Sequence, residues 1–451
     1  MEFDDCPLKP IVDDVIFNGG SEPSLKYSAL IWYSDTEYVE PLRVISVDHL
    51  ANFVDNFTDG LIVTMAVTTG KLAYRLNPNR ASLKVELTSS SSRLLPDASA
   101  DASTTVVESF KAVMMNTEDD IANQYSPAIA NEFKLDLHDF KLVKFQLLGE
   151  FVEQLRKATM GTNFISSKVD DVVKSSFHMA GSQIEARTPF KGVVMSGVSR
   201  KEPDRQIMIP HDTRLVDIPK YLQKGQRGVF GSGLSSFYRD GYWYVWPTFD
   251  TTRYNKSEEK LTIINVPQTR YPGLERTYKY EGANLTIVTT GETKTSDVSD
   301  IMQYKSGNAS RTLEASALSG GKPMYESKNN KTMAKPSAGI SEVMSTERKD
   351  DQLRDYNKRI KVTDNVMEEL SKSAASAGRM FSFVWEHSFH DGIIPGMPCR
   401  VMYWEGKRTV ILEGVVVGAQ SYTHPVGGNI LRGRYATVTG VYVFVSKEEV
   451  A

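Results

Sequence analysis

Alternating apolar and polar positions dominate both ends of the chain, and helical spacing is concentrated in its middle. Leu83, Val85 and Leu87 alternate with Lys84 and Glu86, the period of a strand with one buried face. Ser28–Tyr33 and Leu61–Val67 are short runs of β-formers bounded by Gly, Ser and Asp, and Lys71–Leu76 continues the pattern. Residues 12–95 therefore read mostly as strands, with His49–Phe53 as one helical turn. The small polar residues of 88–135 bury too little apolar area to offset backbone ordering, and read as an extended surface insertion, partly helical near Asp119–Gln124. Alternation resumes at Phe133, Leu135 and Leu137, and Leu142, Val143 and Phe145 supply the strand that closes a first small antiparallel barrel over residues 1–145.

Helical periodicity follows. Leu148, Phe151, Val152 and Leu155 share one face, opposite Glu150, Glu153, Arg156 and Lys157, with Gly161 as the stop. Acidic residues lead and basic ones trail, as the helix dipole prefers. A second helix is expected over Val169–Met179, and a short one from Asp217 with Pro219 in its first turn. Between Phe237-Tyr238-Arg239 and Tyr242–Trp246 stands Asp240-Gly241, the signature of a two-residue hairpin. These elements define a middle α+β region, 146–255.

Beyond it, Leu261–Val266 and Leu285–Val288 are strands. Residues 291–350 carry few large apolar side chains and read as a long mobile loop. A helix is expected from Asp364 to Arg379. Met380–Phe389, Cys399–Trp404, Arg408–Gly418 and Tyr435–Ser446 are strands of a second barrel within 256–451. The fold class is mainly β: two small tube-like antiparallel barrels with a helix-and-hairpin region between them.

A length of 451 residues allows two to four domains, and 40% apolar with 24% charged residues is ordinary for a globular protein. The net charge of −3 lacks the basic excess of a nucleic-acid-binding surface. Cys6 and Cys399 form no motif, which argues against a disulfide framework or a zinc ribbon. The acidic start, MEFDDCPLKP, does not read as a signal peptide, and no apolar window is long enough for membrane insertion.

The candidate chemistry is thin. His387 and His390 lie on a strand period that points them apart, so a shared metal is not expected. Gly225, Gly228, Gly231 and Gly233 form a glycine-rich loop without the Lys-Ser/Thr of a P-loop, and Ser232 lacks the glycines of a nucleophile elbow. Asp119/Asp120, Asp170/Asp171 and Glu258/Glu259 are sequence neighbours, which does not aim two carboxylates at one substrate atom. No catalytic residue, cofactor or metal is assigned, and the chain is not expected to be an enzyme. Tyr238 and Tyr242–Trp246 could be core, subunit contact or a stacking platform. Tyr221, Tyr242, Trp243, Tyr244 and Trp246 are the interface candidates.

Three stretches together carry a resemblance. They are the helix Leu148–Thr159 with its shorter partner; Thr213–Gln223 followed by Gly228-Val229-Phe230 and Phe237–Pro247; and Ile394–Val401 followed by Leu412–Gly418 and the alternating last strand. Their order is similar to that of the baseplate or tail hub proteins of tailed bacteriophages and of the hub part of type VI secretion spikes. The resemblance implies a homotrimeric ring in which two barrels per subunit form a pseudo-sixfold hub. It implies the tail tube protein, the central spike protein and the tape-measure protein as partners, with DNA passing through a neutral or weakly acidic lumen without specific binding. It implies a virion tail or baseplate location for a protein made in the host cytoplasm. The alternatives are a tail-associated cell-wall or polysaccharide hydrolase, and a glycan- or receptor-binding tail module using the Tyr242–Trp246 face.

Overall fold

The computed structural model describes residues 6–21, 23–93, 102–115, 139–181, 184, 190–198, 202–225, 228–291, 293–296, 311–314, 332–337, 340–345, 367, 370–371, 374–375, 377–405, 408–426, 435–447 and 449. It is mostly β, and most of its strands belong to one continuous sheet that closes on itself. The first barrel takes six strands from the N-terminal third: β1 (Ser24–Trp32), β2 (Arg43–Asn52), β3 (Gly60–Thr68), β4 (Lys84–Arg93), β5 (Ala102–Met114) and β6 (Phe140–Gly149). The middle region holds the helices α2 (Glu150–Lys157), α3 (Val169–Gly181) and α4 (Ile218–Gly225), after an N-terminal α1 (Lys9–Asn18). Its strands are β7 (Thr159–Ser167), β8 (Gly192–Met195), β9 (Asp204–Arg214), β10 (Leu234–Arg239) and β11 (Tyr242–Pro247). The second barrel is built from β12 (Lys260–Val266), β13 (Arg276–Glu281), β14 (Asn284–Thr290), β16 (Gly378–Trp385), β17 (Pro398–Glu405), β18 (Arg408–Pro425) and β19 (Tyr435–Ser446), with the short β15 (Lys294–Ser296) beside β16.

The first ring is not completed by its own third of the chain. β6 pairs β3 and β5 and so lies inside the ring rather than at its seam. Closure falls to the C-terminal strands: Gly418–Thr423 of β18 pairs β2, and Tyr435 of β19 meets Leu25 of β1. The lower half of the same β18 pairs β17, and Gly378–Trp385 of β16 pairs Thr439–Ser446 of β19. The two barrels thus share two strands, and strand membership does not divide at residue 145 or 255. The register of β18 slips between Val416 and Gly418, where it leaves one barrel for the other. A bulge of this kind bends a strand and raises its twist, which a corner between barrels requires.

Each ring is filled by alternate side chains. Ile31, Val47, Val63, Met65, Val85 and Phe145 meet inside the first. Leu261, Ile263, Leu285, Ile287, Phe383, Val401, Val441 and Val443 meet inside the second. β12 runs parallel to both β14 and β17, so the second barrel is mixed rather than wholly antiparallel. Ile264 and Val266 on its outer face are covered by α1 through Leu8, Val12 and Val15. A strand covered on both faces reads as a continuous apolar run, as Leu261–Val266 does.

Several local expectations change. Lys9–Asn18 is a helix, and its spacing of Leu8, Val12 and Val15 was a legible signal. His49–Asn52 continues strand β2 instead of turning, with Ala51 and Phe53 buried. The serine-rich run 88–93 and residues 102–114 form a long hairpin paired from Lys84↔Lys111 to Arg93↔Ala102, because β1 on one side and Thr and Val residues on the other supply a strand ladder. Asp119–Gln124 and Phe133–Leu137 lie outside the described residues. Helix α2 stops at Lys157, and Gly161 sits in β7, where an added Cβ would come 2.7 Å from the His211 backbone. Arg311–Glu314, Thr332–Ser337 and Ile340–Ser345 form a three-stranded sheet inside the segment expected to be a loop. Met367, Leu370, Ser371, Ala374 and Ala375 are helical, but Gly378 already begins β16, so the expected helix does not reach Arg379.

The contact between the shared strands allows a direct test. A Cβ on Gly414 of β18 would lie 2.1 Å from the carbonyl oxygen of Phe444 on β19. Gly414→Ala is expected to cost about 1–3 kcal/mol or more through forced strand separation. Thermal melting followed by circular dichroism checks this; a variant melting with the wild type would show that the close approach is dispensable.

Candidate functional site

The barrels meet the middle region at the hairpin β10–β11. Its turn residues Asp240 and Gly241 have φ of 55° and 88°, both left-handed, as a type I′ turn requires. Strand pairing runs without slip from Leu234↔Pro247 to Arg239↔Tyr242. Because a strand alternates, the hairpin offers one row of side chains to each neighbour. Tyr238, Trp243 and Val245 enter the middle core with Phe151, Val173, Phe177 and Phe230, and Trp243 stacks on Phe177 at 4.1 Å between centroids. Phe237 and Trp246 enter the core of the second barrel, edge-on to Phe53 at 4.9 Å and 6.4 Å.

The five interface candidates separate on this geometry. Trp243 is 0% exposed and Trp246 3%, so both are interior side chains with no surface for a neighbouring subunit. Tyr244 is half-buried against the second-barrel core. Tyr221 is half-buried and donates its hydroxyl to the Met208 carbonyl at 3.0 Å. Tyr242 is the most open, 36% exposed, with the Lys191 ammonium 5.5 Å from its ring centroid. The glycine-rich loop is a packing device. The Gln223 amide accepts from the Val229 and Phe230 N–H groups at 2.8 and 3.0 Å and donates to the Phe230 carbonyl at 2.9 Å, which places both residues in the middle core.

A charged clasp lies at the hairpin tip. Arg239, 6% exposed, forks onto Asp59 at 2.8 Å through Nε and 2.6 Å through Nη2, and donates Nη1 to the Ile393 carbonyl at 2.7 Å. Three distant segments are tied by one guanidinium: the hairpin, the β2–β3 turn and the segment before β17. Burial works against the charge on Arg239, but Asp59, with Asp240 and Asp391 behind it, outweighs burial and holds its pKa above the ordinary value. The tip also borders a cavity of about 230 Å³ whose lining includes His49, Glu108, Glu150, Asp240 and Asp391. Partial burial, reinforced by the neighbouring carboxylates, raises the pKa of Glu108. Burial also raises that of Asp240, with Asp391 and Asp59 adding to the shift and Arg239 opposing it. Burial lowers that of His49.

A second clasp is Arg253, whose Nη1 donates to Ser196 Oγ at 3.1 Å and Nη2 to the Gly396 carbonyl at 2.5 Å. It borders a second cavity of about 360 Å³ with Tyr244, Trp246, Glu258, Glu259 and Pro395. His387 and His390 lie in turns after β16, and among the described residues no group of three or more His, Cys, Asp or Glu side chains is placed to hold a metal. Neither the Asp59–Arg239 clasp nor the Gln223 staple was visible in the sequence, because their partners are joined only by the fold.

No protein-family model and no curated protein matches the chain. Solved structures similar to it include a tail protein of Neisseria meningitidis, with 10% identity and a TM-score of 0.39 over 92% of this chain and 96% of that one. A second is the 43 kDa tail protein of a prophage of Shewanella oneidensis, with 10% identity and a TM-score of 0.41 over 92% and 98%. A third is an Escherichia coli component of the type VI secretion system, with 8% identity and a TM-score of 0.37 over 95% and 77%. Among the described residues, no helix is long and apolar enough to cross a membrane.

Two measurements follow from the site. Asp59→Ala strands a buried guanidinium and is expected to cost about 3–5 kcal/mol in urea unfolding, while the Asp59→Leu/Arg239→Met double variant recovers part of that loss. Burial is the main cause that pushes the Tyr244 hydroxyl up to about 12. A pKa raised in the folded state gives stability that is complete below the unfolded value of about 10 and is lost as pH rises toward the folded value. Tyr244→Phe should therefore lose less stability than the wild type between about pH 10 and about pH 12.

Proposed function

We propose that this chain is a structural hub of a phage tail or of a related injection spike, in which three copies close into a ring around a channel. The observation that carries the reading is the pair of barrels built around two shared strands within one chain. Two such tubes per subunit, repeated three times, give a collar with six similar faces. A collar of that form matches a sixfold tube on one side and a threefold spike on the other. Closed rings of identical subunits are the usual way for such interfaces to be buried. The clasps at Arg239 and Arg253 fit this role, since a collar that transmits load needs its tubes fixed relative to each other.

On this reading the partners are further copies of the chain, the tail tube protein, the central spike protein and the tape-measure protein. DNA crosses the lumen without specific binding, which the net charge of −3 favours because a basic wall would hold phosphates. Tyr242, with its exposed ring, and the half-buried Tyr221 and Tyr244 are the members of the aromatic set with surface for a subunit contact. The protein is non-catalytic and resides in the tail or baseplate of the particle.

Negative-stain imaging and native mass measurement of the purified chain, alone and with the tube and spike proteins of its own particle, test the proposal. The expected result is an annular trimer. A strict monomer under all of these conditions would sink it, and turnover of peptidoglycan or capsule by the chain alone would favour the hydrolase reading.

A further inference from the structure

Within the first ring, the first half of β5 is left with an open edge among the described residues. β5 pairs β4 along its length, from Lys84↔Lys111 to Arg93↔Ala102. It pairs β6 only from Phe110↔Gly149 to Met114↔Phe145, because the chain leaves the sheet at Gly149 to begin α2. Ala102–Ser109 therefore has a described strand on one side only. The ladder fixes which groups face the opening. The Ala112 N–H donates toward β4, to the Leu83 carbonyl at 2.9 Å, and the Met115 N–H donates toward β6, to the Lys144 carbonyl at 2.9 Å. Alternate residues of an antiparallel strand turn both backbone groups to the same side. The N–H and C=O groups of Thr105, Val107 and Ser109 thus point away from β4, along the line that β6 vacates.

Among the described residues, Glu108 is the one charged side chain on this edge. Lysine, proline and bulges blunt exposed edges in most proteins. The run Ala102–Ser109 has no lysine or proline, its register carries no slip, and it includes Thr104, Thr105, Val106 and Val107 in succession. Val106 is 47% exposed and Val107 51%.

An independent feature says what chemistry the edge would accept. Its end opens into the 230 Å³ cavity, where Val107, Glu108 and Ser109 form one wall. The same cavity is lined by the carboxylates of Asp59, Glu108, Glu150, Asp240 and Asp391. Among the lining residues the cationic side chain is Arg239, already forked onto Asp59; Lys191 acts on Asp240 from outside the lining, and His49 is held toward its neutral form by burial. The cleft at the open edge is therefore anionic.

We propose that Ala102–Ser109 is a strand-addition site for an extended, lysine- or arginine-bearing segment of a partner protein. The segment adds beside β5 in the place β6 leaves at Gly149, and its basic side chains meet Glu108, Glu150 and Asp240. Backbone hydrogen bonds give such an added strand its affinity, and alternate side chains give it specificity. The assignment stands on the open edge and the charge of the cleft, and holds whether or not three copies form a ring.

The probe is a fluorescent peptide of alternating lysine and threonine, about ten residues long, titrated into the full chain and read by anisotropy. Two controls accompany it: the glutamate counterpart, and the lysine peptide N-methylated at alternate residues, which keeps its charge but loses N–H donors. The lysine peptide is expected to bind, and N-methylation to weaken it by about ten-fold or more, the worth of one or two hydrogen bonds. Val107→Pro removes an edge N–H without touching the β4 ladder and should weaken binding similarly. Glu108→Gln with Asp240→Asn should weaken it and reduce its salt dependence. Equal binding of the N-methylated or the glutamate peptide would overturn the proposal, since charge or stickiness alone would then explain capture. Should the lysine peptide fail to bind while Val107→Pro abolishes self-association, the edge belongs to a second copy of this chain and the partner assignment fails.

Discussion

Two long C-terminal strands, β18 and β19, hold the protein together, and their mutual contact constrains everything else. They lie against each other from Gly414↔Val445 to Pro425↔Tyr435, and each end of the pair completes a different barrel. The close approach is possible because Gly414 carries no side chain where the Phe444 backbone passes. The slip at Val417 turns the pair from one tube to the other, and the Phe53 N–H donates to the Val417 carbonyl at 3.0 Å at that corner. At the far end Tyr435 seals the first ring, donating to the Val44 carbonyl, with Tyr27 edge-on at 5.2 Å and Arg43 over its ring. The first ring does not close without these strands, and the second barrel is built onto them, so the N-terminal barrel depends on residues nearly the whole chain away.

Shared strands fix the barrels side by side but leave their junction with the middle region to be secured. The hairpin β10–β11 does this with a row of side chains on each face. Trp243 and Trp246 are three residues apart, so alternation sends one into the middle core and the other into the second barrel. Apolar packing is non-directional, and the directional part of the joint comes from two guanidinium groups. Arg239 and Arg253 each tie distant segments through a planar fork, which suits a rigid joint better than a lysine point charge would. A buried ion pair adds little net stability against an apolar substitute, so its value here is geometric.

The same architecture explains where the surface remains open. Ring closure removes most strand edges. What remains unpaired among the described residues includes the end of β5, where β6 turns aside into α2. The open edge, the anionic cleft and the hairpin tip therefore lie together for one reason, the departure of the chain from the sheet at Gly149.

The elements with local causes were legible. Asp240-Gly241 specified its turn, the amphipathic spacing of Phe151, Val152 and Leu155 specified α2, and Val441, Val443 and Val445 specified a strand. Helix α1 also has a local cause, the spacing of Leu8, Val12 and Val15. The run Thr88–Ser92 differs from its expectation because its polarity suits a loop in isolation and a strand only beside β1 and β5. Composition and alternation determined a mainly β protein with helices at its middle and aromatic packing at residues 237–246. Tertiary structure alone decided that β18 and β19 belong to both barrels, that Trp243 and Trp246 face different cores, and that Asp59 meets Arg239. These are pairings across long separations, and a strand's sequence encodes which face it buries but not which strand will lie beside it.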